Sequence, residues 1–236
     1  RRIKFLVMKN LILILMITTS LNLMSQINCD SISKYMFELH NVERTKLNSN
    51  KRYLSLNCKK AAELHATYLE KYTLVTHTQN TITCGDKVLE RPLDRYNFFN
   101  KEYFLYYPDP KDTYHAKTFV WCFDGEIITY VKMTFVKNKI MSNKEISKML
   151  INNFVESKGH YVIMAWSFGD QKDSLGNKTS IKKGYFSVKY NATENYDGTV
   201  TYQIYAVGVF ETSFGMYYLK SKKLDVQYKE DYNKMF

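Results

Sequence analysis

Proline is scarce in this chain, three among 236 residues, and no segment is of low complexity or repeats at a fixed period. With twenty tyrosines and 45% hydrophobic residues, that scarcity excludes a disordered, proline-rich chain and points to a β-rich globular one. Long apolar runs are missing too. The clearest, LILILMI at residues 11–17, falls far short of the ~20 residues that cross a bilayer, so the protein is not expected to be membrane-spanning. The cysteines never occur in a Cys-x-x-Cys spacing, which removes the zinc knuckle and the dithiol redox motif. Neither His-Glu-x-x-His nor Gly-x-Ser-x-Gly occurs, so two common hydrolase signatures are excluded.

What is present begins at the N-terminus. Arg1, Arg2, Lys4 and Lys9 precede the apolar run, and the stretch TTSLNLMSQ follows it. A basic start, a short apolar run and small residues form a secretory signal peptide. Translation is expected to start at Met8, with cleavage after Ser25. That leaves residues 26–236 as one domain acting outside the cytoplasm, whether secreted, periplasmic or at the cell surface. A lipid anchor on Cys29 is the alternative, although QINC lacks a small residue before the cysteine.

The formal charge of +11 falls on processing. Four of the 34 Lys and Arg lie in residues 1–25 and none of the 23 Asp and Glu, which leaves 30 basic against 23 acidic residues, a formal +7. The lysines are scattered rather than gathered in a stripe, which fits a soluble basic surface and argues against nucleic acid as a partner. The four cysteines are Cys29, Cys58, Cys84 and Cys122. In an exported chain that even count suggests a disulfide bond, with pairing open and Cys58 an expected member.

Three helices can be read from spacing. SISKYMFELHNVERTKL places Ile32, Tyr35, Met36, Leu39 and Val42 on one stripe, and CKKAAELHATYLEKY does the same with Cys58, Ala61, His65, Tyr68 and Tyr72. A third helix runs over residues 143–157, started by a Ser142–Glu145 capping box and stopped by Gly159. His160 then falls one residue beyond a helix end. Residues 117–136 are aromatic and β-branched, with Asp124-Gly125 as a tight turn. GYFSVKY, TVTYQIYAVGVF and GMYYLK read as further strands, with turns at Asp197-Gly198 and Ser213-Phe214-Gly215. Residues 91–116 show no period and read as a long surface excursion. Early helices and late antiparallel strands make an α+β domain layered α-β-α.

The order HNVERTKL, AAELHATYLEKY, THTQ and NNFVESKGHYVIM resembles the CAP superfamily, which holds cysteine-rich secretory proteins, antigen 5, pathogenesis-related class 1 proteins and bacterial SCP-like secreted domains. In the family block W-x-x-S-x-G-H-x-x-x-I/M, Phe154 stands at the tryptophan position, while Ser157, Gly159 and His160 match. GVF before YYLK resembles the closing strands, and the resemblance spans about residues 32–219. It implies a three-layer α-β-α sandwich with an antiparallel sheet and a cleft where two histidines and acidic residues converge, sometimes around zinc. Carried over, the histidines are His77 of THTQ and His160. The acidic position falls on Glu126 of Gly125-Glu126-Ile127-Ile128, or on Asp86 of Cys84-Gly85-Asp86. Glu126 keeps the glutamate and its register before the third helix, although it lies 49 residues after His77, whereas Asp86 is nearer to the histidine. The family's second carboxylate has no counterpart.

Each candidate has a plain structural alternative. A cation after a helix end is favoured by the helix dipole, which would explain His160 without a ligand. His77 lies in a polar loop with no apolar stripe to account for it. His65 reads as a satisfied core histidine, His40 as a hydrogen-bonded structural one and His115 as a solvated loop residue. Glu126 could simply begin a strand after the Asp-Gly turn. Glu145 is explained by the capping box and Glu156 by a solvated helix end. The functional expectation is a histidine-lined cleft binding a lipid, a peptide or an envelope component. His77 and His160 would be metal ligands if zinc is held, with Glu126 or Asp86 as third ligand. An extracytoplasmic metal-dependent hydrolase, using His77, Glu126 and His160, is the alternative, and a purely structural or adhesive surface domain is the third possibility.

Overall fold

The computed structural model describes residues 27–79, 83–84, 87–100, 119–136, 139–165 and 180–215. The expected signal segment 1–25, Asp86, His115 and the GMYYLK strand beyond Gly215 lie outside these residues. Asn28 caps the first helix, α1 (Cys29–Lys46), by accepting a hydrogen bond from the Ser31 amide at 2.8 Å. Its inward face is Ile32, Ser33, Met36, Phe37, His40 and Arg44. The expected stripe was rotated from this, since Tyr35 is 36% and Val42 51% exposed. Hydropathy discounts His40 and Arg44, yet both are inside: Arg44 donates to the carbonyls of Asn50 (2.6 Å) and Met164 (2.7 Å).

The second helix, α2 (Leu56–Tyr72), starts at Ser55, whose hydroxyl accepts from the Cys58 amide at 3.2 Å. It buries Cys58, Ala61, Ala62, His65, Ala66, Tyr68 and Leu69, while Tyr72 is exposed. The excursion contains a helix that its lack of period concealed, α3 (Pro92–Phe99). Proline in its first turn and Asp94, whose carboxylate accepts from the Arg91 amide at 3.0 Å, start it. The Ser142–Glu145 capping box forms as expected and opens α4 (Asn143–Glu156), which buries Ile146, Leu150, Ile151 and Phe154.

The chain does not stop at Gly159. Ser157 alone is extended (φ −84°, ψ 106°), and the chain re-enters a helix at once as α5 (Lys158–Ala165). Gly159 takes no left-handed conformation, and one non-helical residue is enough to break and redirect the axis.

Four strands form one mixed sheet, in the spatial order β1 (Tyr53–Leu54), β5 (Ser180–Glu194), β6 (Thr199–Gly215), β4 (Phe119–Val136). The three long strands are antiparallel, and only β1 runs parallel to its neighbour. Two short strands, β2 (Thr83–Cys84) and β3 (Lys87–Val88), pair apart from it. The Asp197-Gly198 turn joins β5 to β6, with Gly198 at φ 78°. Two other expected turns are absent. Ser213–Gly215 stays paired with β4, and Asp124-Gly125 is a β-bulge within a single 18-residue strand. There Asp124 is the extra residue, and the pairing resumes at Gly125 opposite Phe210.

Helices cover both faces of the sheet, so the described chain is α+β. α1, α4 and α5 lie against the side carrying Ile127, Phe186, Gly208 and Phe210; α2 and α3 lie against the side carrying Glu126, Tyr185, Val209 and Glu211. No helix among the described residues is long and apolar enough to cross a membrane. Cys29 and Cys58 are free thiols, which corrects the disulfide expected for Cys58. Cys58 points from the first turn of α2 into the interior, where no described cysteine meets it and burial pushes its thiol well above the ordinary range. The side chains of Cys84 and Cys122 lie outside the described residues.

Candidate functional site

The bulge decides where Glu126 points. Side chains alternate along a strand, and one extra residue reverses the alternation. Phe123, before the bulge, packs against Tyr96 of α3 with tilted rings (5.3 Å between centroids), and Glu126, after it, also faces α2 and α3. Asp124 is turned away to Arg52 and Thr212. Gly125 lets α5 approach, since a Cβ there would lie 3.0 Å from Ile163 Cγ2. Gly125→Ala is therefore expected to displace α5 and to cost about 1–3 kcal/mol of stability, measured by urea denaturation. An unchanged midpoint would mean that α5 is not seated on the bulge.

Glu126 is 5% exposed and surrounded by cationic and imidazole groups. Arg95 Nη2 donates to Oε2 at 2.7 Å and to Oε1 at 2.9 Å. His77 Nδ1 donates to Oε1 at 3.2 Å, and His65 Nε2 lies 3.5 Å from the same atom. Burial alone would raise the carboxyl pKa. The hydrogen bond from His77 and the charges of His65 and Arg95 outweigh it and hold the pKa below the ordinary value. With the Nδ1 proton directed at Glu126, the lone pair of His77 is on Nε2, away from the carboxylate. The His77 side chain is 45% exposed, so that nitrogen is accessible from solvent.

His65 completes the inner side of the cluster and is satisfied, as expected of a core histidine. Its Nε2 donates to the Thr76 carbonyl at 2.8 Å, and its Nδ1 accepts from Gln79 Nε2 at 2.6 Å. Those bonds pin the loop that carries His77. Burial pushes the His65 pKa down to about 4, against the attraction of Glu126. Between pH 6.5 and about 4 the unfolded chain therefore binds a proton that the folded one refuses, and stability falls as pH drops through that window. The loss should approach about 3 kcal/mol for this group. Urea midpoints at pH 7 and 4.5 are expected to differ less in His65→Gln than in wild type; identical pH dependence would contradict this.

His160 enters from the opposite layer. Its ring lies 6.2 Å from that of His77, centroid to centroid, and edge-on to Phe154 at 5.5 Å. It sits in the first turn of α5, not after the last turn of α4. The dipole explanation for a cation is thereby removed, because a positive charge is disfavoured at a helix N-terminus. Burial, followed by the nearby His77, lowers its pKa, which favours the neutral ring.

The structure thus brings His77, Glu126 and His160 together across three elements. Both carboxylate oxygens of Glu126 are engaged by Arg95. Among the described residues no three His, Cys, Asp or Glu side chains form a metal-holding group. Arg95 was not anticipated; Pro92 with Asp94, a helix-start signal, was the available clue to its helix. His40 differs from expectation as well. It stacks on Phe210 (5.0 Å) with its edge toward Phe186, and neither ring nitrogen finds a hydrogen-bond partner among the described residues. A shallow depression lined by Leu39, Ser142, Lys144, Glu145 and Lys148 shares no residue with the histidine site.

No protein-family model matches the chain, and no curated protein matches it. Solved structures are similar, among them the following two. An outer surface protein from Borrelia burgdorferi matches 78% of this chain and 96% of its own, at 14% identity and a TM-score of 0.37. An extracellular protein containing an SCP domain from Bacillus anthracis matches 73% of this chain at 13% identity and a TM-score of 0.37. The match spans 39% of that longer protein.

Proposed function

We propose that this is a CAP-like domain that acts outside the cytoplasm after removal of residues 1–25 and binds a ligand between His77 and His160. The observation that carries the reading is the 6.2 Å separation of two partly accessible imidazoles, one of them held by a buried carboxylate. A histidine whose Nδ1 proton is fixed by a carboxylate presents Nε2 in one tautomer and one direction, as metal-ligating and hydrogen-bonding histidines do. A lipid headgroup, a peptide or an envelope component would be met by these two nitrogens.

The same pair fits one divalent ion, zinc first, at imidazole bonds of roughly 2.0–2.1 Å. His77 Nε2 and His160 would hold it, and the ion would present its remaining positions to a ligand. Glu126 does not fit as third ligand while Arg95 engages both oxygens. A hydrolytic zinc site normally has three protein ligands, and the described residues offer His77 and His160, with Asp86, the other expected third ligand, outside them; we therefore put binding first and metal-dependent hydrolysis second.

Calorimetric titration with zinc chloride tests this. Wild type is expected to bind one equivalent, with affinity at least tenfold lower in His77→Ala and in His160→Ala. Binding should also weaken below about pH 6, where a free histidine, with pKa near 6.5, takes up a proton. Equal affinity in wild type and both variants would overturn the shared site.

A further inference from the structure

Arginine usually meets a carboxylate through a two-nitrogen fork. Arg95 instead uses a single nitrogen. Its Nη2 lies 2.7 and 2.9 Å from the two Glu126 oxygens and donates to the His77 carbonyl at 3.0 Å. Three oxygens therefore surround one positively charged point, while Nη1 is tied to the Glu90 carbonyl at 2.9 Å. Both Arg95 and Glu126 are buried. Oxygens converging on one point from a carboxylate and a main-chain carbonyl are the donors that a hard cation such as calcium takes.

We infer that Arg95 is a built-in cation: its Nη2 fills an oxygen-lined cation position formed by Glu126 and the His77 carbonyl, which closes Glu126 to external cations and leaves the imidazole nitrogens as the open contacts. Two consequences follow for specificity. Hard cations, which need oxygen donors, are excluded from the carboxylate, whereas a borderline metal or a hydrogen-bonding ligand is received by nitrogen. Arg95 is also a positioning residue, acting on His77 through Glu126 without touching the ligand. This holds whether or not the imidazole pair takes a ligand.

Arg95→Ala vacates the position. Guanidinium chloride at low millimolar concentration is then expected to raise the melting temperature of Arg95→Ala by several degrees. It should also shift the His77 Nδ1–H signal, perturbed in Arg95→Ala through Glu126, back toward its wild-type position in nitrogen-15 spectra. Urea at the same concentration should do neither, and wild type should respond to neither. The double variant Arg95→Ala, Glu126→Gln should lose the response. Equal effects of guanidinium and urea, or a full response in the double variant, would overturn the inference. If Arg95→Ala does not fold, Arg95→Lys carries the test. One ammonium can make a one-nitrogen contact, so Arg95→Lys should keep the His77 Nδ1–H signal, and its loss there would contradict the assignment. These readouts do not involve ligand binding, so their failure is distinguishable from failure of the imidazole site.

Discussion

Replacing Arg52 by alanine is expected to destabilise the fold by about 3–5 kcal/mol, because it leaves a buried carboxylate without its cation. Arg52 is 2% exposed, and its Nη1 donates to Asp124 Oδ2 at 2.7 Å and to the carbonyls of Lys183 and Glu211 at 3.2 Å. The guanidinium also lies 4.7 Å from the centre of the Phe210 ring. Asp124 is the extra residue of the bulge, so this ion pair fastens the irregularity that aims Glu126. Glu211 stands close by; burial raises its pKa, although hydrogen bonds from Ser55 and Tyr96 act the other way. Without Arg52, two buried acids would share one region with less positive charge. Urea denaturation of Arg52→Ala and of Arg52→Ala with Asp124→Asn measures the effect. The second change should recover part of the loss, and a loss below about 1 kcal/mol in the single variant would show that the pair is dispensable.

The second large effect is expected at Glu126. Glu126→Gln keeps the shape but replaces one acceptor oxygen with an NH2 group. That group accepts from neither donor, and the one remaining oxygen, now uncharged, must serve both His77 Nδ1 and Arg95, so its hold on the His77 tautomer weakens. Zinc affinity should fall about 10–100-fold, the usual effect of losing a carboxylate that orients a histidine ligand. The buried guanidinium of Arg95 would lose its counter-charge, so stability should fall by about 1–3 kcal/mol. The pH dependence has a defined sign. The folded carboxyl pKa lies below the unfolded one, so its contribution is present above the unfolded value and lost as pH falls through the folded one. The variant should lack that part of the acid destabilisation. Calorimetry together with denaturation at two pH values separates the two effects, and unchanged zinc affinity would mean that Glu126 does not set the His77 tautomer.

How much of this was legible depends on which interactions are local. The α4 capping box needs only Ser142 and Glu145, and the β5–β6 turn needs only Asp197 and Gly198; both could be read. His77, Glu126 and His160 could be singled out by their motifs, even though 49 residues separate the first two. The remainder depended on distant partners. Asp124-Gly125 has the composition of a turn, but pairing with β6 on both sides makes it a bulge. Gly159 suggested a helix stop, but the break is at Ser157, and nothing in its side chain announces that. Arg95 fell within the stretch read as a surface excursion and was not singled out, because its partners, Glu126 and the His77 carbonyl, come from elsewhere in the chain. His40 and Arg44 turned the inward face of α1 away from the most apolar stripe because polar side chains were buried there.

The most direct test is the protonation of the two rings, read from long-range proton–nitrogen spectra of labelled protein during a zinc chloride titration at pH 7. His77 is expected to carry its proton on Nδ1 before zinc is added and to keep it afterwards, while His77 Nε2 and one nitrogen of His160 shift together and saturate at one equivalent. A His77 ring protonated on Nε2 in the free protein, or zinc that leaves either ring unshifted, would contradict a shared site oriented by Glu126.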